Sequence, residues 1–127
     1  MDNFTNLDTA IKENIGKVLS EIACAAEKAG RNPDGIKLMA VTKTKPYQYV
    51  NAAYKAGLRL FGENRVQEME EKYLSFHNDA SVHLIGHLQR NKAKKAAAIA
   101  DSVDSIDKYE TAAELDKHCG SLGRKIE

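Results

Sequence analysis

The chain has no tryptophan, its aromatic residues amount to 6%, and only two prolines and two cysteines occur in 127 residues. Sparse aromatics leave no row of rings for stacking single-stranded nucleic acid. Cys24 and Cys119 lie far apart without metal-type spacing, so they read as thiols rather than as a disulfide or a zinc site. Neither sign of charge dominates: 19 Lys and Arg oppose 18 Asp and Glu, and a net charge of +1 gives no field to gather nucleic acid or an anionic membrane. No apolar run approaches the length that spans a bilayer, and Asp2, Asn3, Asn6 and Asp8 replace the basic and apolar regions of a signal peptide. A cytoplasmic protein is expected, long enough for one core and too short for two.

What the chain does have is alternation. Leu7, Ile11, Ile15, Val18, Ile22 and Ala26 recur at helical spacing and predict a leading helix over 5–29, with Thr5 and Asp8 at its start and Gly30 and Pro33 at its end. Strands are then expected at 37–42, 58–61, 82–85 and 102–106, with helices at 46–57, 63–77, 90–100 and 107–119 between and after them. Gly120 and Gly123 break the last helix, and residues 125–127 begin a fifth strand. Four strand–helix units in series mean a parallel α/β architecture. Two arrangements fit, an open doubly wound sheet or part of an eight-stranded barrel, which takes about 250 residues in full. No Gly-x-Gly-x-x-Gly follows the first strand, which favours the half barrel.

Ligands on such sheets bind at the carboxyl ends of the strands. The run Leu38-Met39-Ala40-Val41 reads as a strand buried on both faces, and it delivers Lys43 to that end. A partly desolvated lysine loses its proton more easily and condenses with aldehydes; the plain alternative is a solvated loop residue. Behind the second strand, Gly62 would let a ligand approach the backbone, and Asn64 either contacts a ligand or caps the next helix, a role its residue type favours. His83 and His87, four residues apart on an extended segment, lie roughly 13 Å apart, too far to share a metal ion. His87 can then face a ligand, while His83 hydrogen-bonds between sheet and helix. Arg90, Lys92, Lys94 and Lys95 form either an anion site or, more in keeping with surface helices, a solvated face. Ser102, Asp104 and Ser105 close the fourth strand with ligand-facing or helix-capping groups.

The blocks Ala40-Val41-Thr42-Lys43-Thr44-Lys45-Pro46, Phe61-Gly62-Glu63-Asn64-Arg65-Val66-Gln67-Glu68, His83 through Lys92 and Ser102-Val103-Asp104-Ser105, in this order, resemble the pyridoxal phosphate homeostasis protein family. The resemblance covers essentially the whole chain. It implies the parallel (β/α) TIM-type barrel of the alanine racemase N-terminal domain, here as about half a barrel of four strand–helix units after a leading helix. It implies that 1–127 is the N-terminal portion of a single pyridoxal phosphate-binding barrel domain. It also implies that Lys43 holds pyridoxal 5'-phosphate as an internal aldimine, with Asn64, His87 and Ser105 facing the cofactor. Thr42 stands where the family commonly has serine. The family's second half, with its phosphate-binding serine, glycine and threonine groups and an arginine near the pyridine nitrogen, has no counterpart in these 127 residues.

By that resemblance the function is non-catalytic cofactor homeostasis, with apo pyridoxal phosphate enzymes as recipients. No second acid or base is evident for a two-base racemase. A racemase-like enzyme acting on amino acids and a fragment that binds no cofactor are the alternatives. An incomplete barrel leaves a strand edge open, from which self-association is expected.

Overall fold

The structure, a computed structural model, describes residues 3–73 and 76–127, with side chains from Asn6 onward. Helix α1 (Asn3–Lys28) follows the apolar stripe read from the sequence and ends in a left-handed Gly30 at φ 69°. There Arg31 N–H donates to the Ala26 carbonyl at 2.8 Å and Gly30 N–H to that of Glu27 at 3.1 Å, satisfying carbonyls the helix leaves open. Thr5 lies within the helix and its side chain is outside the described set, while Asp8 meets Lys55 of the next helix at 3.1 Å.

Four parallel strands follow, β1 (Ala40–Val41), β2 (Leu60–Glu63), β3 (Ser81–Leu84) and β4 (Ser102–Val103), hydrogen-bonded in the order β1-β2-β3-β4. Chain order equals sheet order, so no crossover reverses direction as it would in a doubly wound sheet. One register line runs Val41, Gly62, His83, Ser102. Helices α2 (Tyr47–Lys55), α3 (Val66–Tyr73), α4 (Ala93–Ile99) and α5 (Tyr109–Leu122) alternate with the strands, giving the α/β arrangement that the alternation predicts. Backbone bonds from Val103 N–H to the Glu127 carbonyl at 2.7 Å and from Glu127 N–H to that of Asp101 at 3.1 Å start a fifth parallel pairing beside β4.

The core lies between the sheet and these helices. Phe61, Val82, Leu84 and Val103 alternate toward Val50, Met69, Ala96, Ala97 and Leu115, and all are buried. In α4, Ala93, Ala96 and Ala97 have no exposed surface, because a methyl side chain lets helix and sheet approach closely. Phe76 meets Tyr47, Tyr54, Phe61 and Tyr73 edge to face, with centroids 5.4–6.0 Å apart.

Several expectations shift. β1 is not buried on both faces: Leu38, Met39 and Ala40 are partly covered and Val41 is 49% exposed, because the helices cover one side of the strand and leave Val41's side open. β2 extends to Glu63, which the helical reading had claimed. Helix α3 starts at Val66, and the expected continuation through Leu74 and Ser75 falls on residues outside the described set. α5 runs past Gly120 and stops at Gly123. Among the described residues, no helix is long and apolar enough to cross a membrane.

The one-sided core makes a direct prediction. Leu84→Ala, at a position with no exposed surface, costs about 2–5 kcal/mol in urea unfolding, whereas Val41→Ala on the open face stays within about 0.5 kcal/mol. Equal losses at both positions would contradict the assignment of faces.

Candidate functional site

The carboxyl ends of the strands carry the sequence-predicted residues. After β1 the chain makes a tight turn over 42–45, in which Lys45 N–H donates to the Thr42 carbonyl at 3.0 Å and Thr44 takes φ 64°. Those features are those of a type II turn, with Lys43 at the first corner and Thr44 at the second. The second corner of such a turn suits glycine; a β-branched residue there is an outlier that surrounding contacts must hold.

Helix α3 supplies the contacts. The Glu68 carboxylate accepts Thr44 N–H at 2.9 Å, and Lys72 Nζ donates to the Thr42 carbonyl at 2.7 Å and to Glu68 at 2.9 Å. Lys72 also reaches both oxygens of Glu63 at 3.3 Å. Glu63 has no exposed surface and ends β2, which points its side chain toward α3. The Thr42 hydroxyl donates to Glu63, Tyr73 Oη donates to it at 3.1 Å, and the two hydroxyl oxygens are 2.7 Å apart. A buried carboxylate is thus matched by one cation and two hydroxyls, the condition for tolerating it. Burial above all, with the neighbouring Glu63 charge adding to it against the opposing Thr42 bond, raises the Tyr73 phenol well above its ordinary value. The Lys72 bond first, and the Thr44 amide after burial's opposing effect, hold the Glu68 carboxyl below the usual carboxylate range.

Lys43 itself is exposed, not partly desolvated. Asn64, half-buried, follows β2 as Lys43 follows β1, two places past the paired residues Val41 and Gly62. It does not cap α3, which begins at Val66, and its side chain makes no hydrogen bond among the described residues. The helix-cap reading therefore fails and a free amide remains beside Lys43's strand. Gly62 is not open to a ligand, since a Cβ there would lie 2.6 Å from Met39 Sδ and 3.2 Å from Ile85 Cδ1. Gly86 serves close packing instead: its Cα lies so near the Asn64 backbone that a Cβ would come within 2.3 Å of the Asn64 carbonyl oxygen. Ser105 donates its hydroxyl to the Gly86 carbonyl, so the ends of β2, β3 and β4 are tied together at Asn64, Gly86 and Ser105. His87 is exposed beyond this tie, 3.6 Å from Asp107. His83 bonds Asp104 at 3.1 Å on the sheet's open side rather than bridging to a helix.

The basic run 90–95 pairs with acids of neighbouring helices, Arg90 with Glu114 at 3.9 Å and Lys95 with Glu70 at 3.5 Å, which fits its reading as a solvated face. Among the described residues no three His, Cys, Asp or Glu groups converge as metal ligands, and both cysteines are free. The polar cluster of Glu63, Glu68, Lys72 and Tyr73 was not anticipated. Its one visible signal is the Glu68–Lys72 pair at i,i+4, the favoured orientation on a helix.

Two outcomes follow from this geometry. Gly86→Ala forces the β3 end away from Asn64 and lowers stability by about 1–3 kcal/mol, measured by chemical denaturation; an unchanged midpoint would show that the contact yields freely. Because the folded Glu68 pKa lies below its unfolded value, its contribution is present above the ordinary carboxylate range and lost as pH falls through the folded value. Glu68→Gln should flatten that acid limb in a pH series of unfolding midpoints, and an unaltered limb would refute the assignment.

No protein-family model matches the chain. It is 38% identical to the pyridoxal phosphate homeostasis protein of Vibrio alginolyticus, over 84% of this chain and 48% of that one. It is 42% identical to the protein of the same name from Pseudomonas aeruginosa, over 84% of this chain and 47% of that one. Among solved structures, PipY of Synechococcus elongatus with PLP bound superposes with a TM-score of 0.70 at 40% identity, covering 85% of this chain and 51% of PipY. A crystal structure of an unknown protein from Bifidobacterium adolescentis superposes with a TM-score of 0.88 at 30% identity, covering 99% of this chain and 55% of that one. The chain spans about half the length of the curated relatives it matches. Over that span it is similar to proteins named for pyridoxal phosphate homeostasis, the family its four motif blocks resemble.

Proposed function

We propose that this chain holds pyridoxal 5'-phosphate on Lys43 as a Schiff base and serves cofactor homeostasis without catalysis of its own. The observation that carries the reading is the placement of Lys43 at the corner of a braced turn, at the strand ends, in a chain 38–42% identical to proteins named for pyridoxal phosphate homeostasis. The cofactor supplies an aldehyde; the Lys43 nitrogen forms the C=N bond and the carbonyl oxygen leaves as water. The residues fit that group. Lys43 offers an exposed amine, Asn64 a half-buried amide with no hydrogen-bond partner among the described residues, and His87 an exposed ring lining one groove with Asn64. Ser105 is already committed through its proton to Gly86, so it contributes as an acceptor and as the tie that sets Gly86.

The reading extends to a barrel of the alanine racemase N-terminal type, of which 1–127 forms the N-terminal portion of one domain in the cytoplasm. Apo pyridoxal phosphate enzymes are its recipients. Val41 on the uncovered face and the strand edge beyond β1 support self-association with a second copy. The exposure of Lys43 favours a second reading, in which the chain binds no cofactor and this lysine reacts like any other on the surface.

Incubation with pyridoxal phosphate, borohydride trapping and peptide mapping separates the two. Saturable labelling at Lys43 that is lost in Lys43→Ala, with a dimeric mass by light scattering, is the expected result. Weak labelling spread over many lysines establishes the fragment reading, a monomeric mass removes self-association, and turnover of an amino acid by the loaded protein would make it a racemase-like enzyme.

A further inference from the structure

The turn that presents Lys43 is not self-sufficient. Among the described residues, the bonds on Lys43 to Lys45 are the internal Lys45 N–H to Thr42 carbonyl link at 3.0 Å and the Thr44 amide to Glu68; Thr42 itself is held by β2, its amide bonding the Gly62 carbonyl at 3.2 Å, and by Lys72 of α3. Thr44, at φ 64°, occupies a region that threonine adopts only when held. Its amide is held by Glu68 at 2.9 Å, and the Glu68 carboxylate is in turn fixed by Lys72 at 2.9 Å. Lys72 is 8% exposed and anchored to Glu63, so the brace is attached to the core. The second lysine of the turn takes a separate course, with Lys45 Nζ 5.1 Å above the Tyr49 ring. A cation in that position gains from the ring's negative face and is drawn toward α2.

We propose that Glu68 is a positioning residue for Lys43: by holding the Thr44 amide it fixes the turn in which Lys43, and not Lys45, is offered for covalent attachment. The role rests on the reading of Lys43 given above. It involves no contact between Glu68 and the cofactor. The helix that Asn64 leads into also carries Glu68 and Lys72, so one element sets both the amine's turn and the amide beside it.

The test compares the ratio of Lys43 to Lys45 labelling by pyridoxal phosphate, trapped with borohydride and resolved by peptide mass, in wild type and three variants. Loss of general stability alters total labelling and the circular dichroism spectrum, whereas loss of positioning alters the ratio. Glu68 side-chain surface is partly exposed (19%), so its replacement leaves the core intact. Glu68→Ala is expected to lower the ratio about tenfold, the scale of one hydrogen bond to a charged acceptor. Glu68→Gln, whose amide oxygen still accepts the Thr44 amide, should restore most of it. Thr44→Gly in the Glu68→Ala background should restore it as well, since glycine enters the left-handed region unaided. A selective wild type with an unchanged ratio in Glu68→Ala overturns the positioning role alone. Absence of Lys43 selectivity in the wild type overturns the covalent reading and this inference with it. Hydrogen exchange gives a measurement that needs neither cofactor nor variant: a Thr44 amide that exchanges as fast as an open loop amide in the wild type overturns the brace.

Discussion

A carboxylate with no exposed surface is the constraint on which the upper end of this sheet depends. Removing a charge from water costs several kcal/mol even after the protein relaxes, so Glu63 is tolerable only with its partners in place. The cluster thereby joins three elements: Glu63 ends β2, Thr42 lies just past β1, and Lys72 and Tyr73 come from α3. None of the three can slide by one residue without stranding a charge. An apolar set of similar volume would hold the elements together about as well, so the network's effect lies in the position it enforces more than in net stability. That position is the relation between the end of β1 and the helix after β2, which is where Lys43 and Asn64 are carried.

From that corner the order of the site decreases outward. Asn64, Gly86 and Ser105 are locked by backbone contact and a hydroxyl bond, with no room for a side chain at Gly86. Lys72, which donates to the Thr42 carbonyl, and Glu68, which accepts the Thr44 amide, are charged groups that are themselves largely buried. Among the described residues His87 meets Asp107 at 3.6 Å, with both side chains more than half exposed, and such surface contacts contribute little. The strand ends therefore combine a closely packed frame from β1 to β4 with a more exposed rim at His87.

Much of this was readable from the residues, and the reasons for the remainder are physical. The succession of helices and strands follows from periodicity and from glycine and proline punctuation, and the motif blocks placed Lys43 correctly at a strand end. Burial of a strand does not follow from its own residues, because what covers it lies elsewhere. Leu38, Met39, Ala40 and Val41 are uniformly apolar, yet Val41 is 49% exposed. Glu63 ends a buried strand, where a charge is costly without a partner, and that partner, Lys72, lies nine residues ahead across a turn, so nothing local in the sequence signals the strand's extension. Asn64 has the residue type of a cap, but the helix begins two residues later, at Val66. Gly62 and Gly86 look equivalent as letters; one makes room for Met39 and Ile85, the other for the Asn64 backbone.

Thr44 shows how these levels connect. A glycine at that corner would form the turn without help, and the loop's shape would then be independent of everything beyond it. Threonine removes that independence. Its left-handed backbone persists because Glu68 takes its amide, Glu68 is held by Lys72, and Lys72 is held by a carboxylate that the core encloses. The placement of α3 in turn rests on Val66, Met69 and Tyr73, which bury against Phe61 and Leu84. Packing in the core is thereby converted into the direction of one backbone turn at the surface. A loop lysine acquires a defined setting although it touches almost nothing itself.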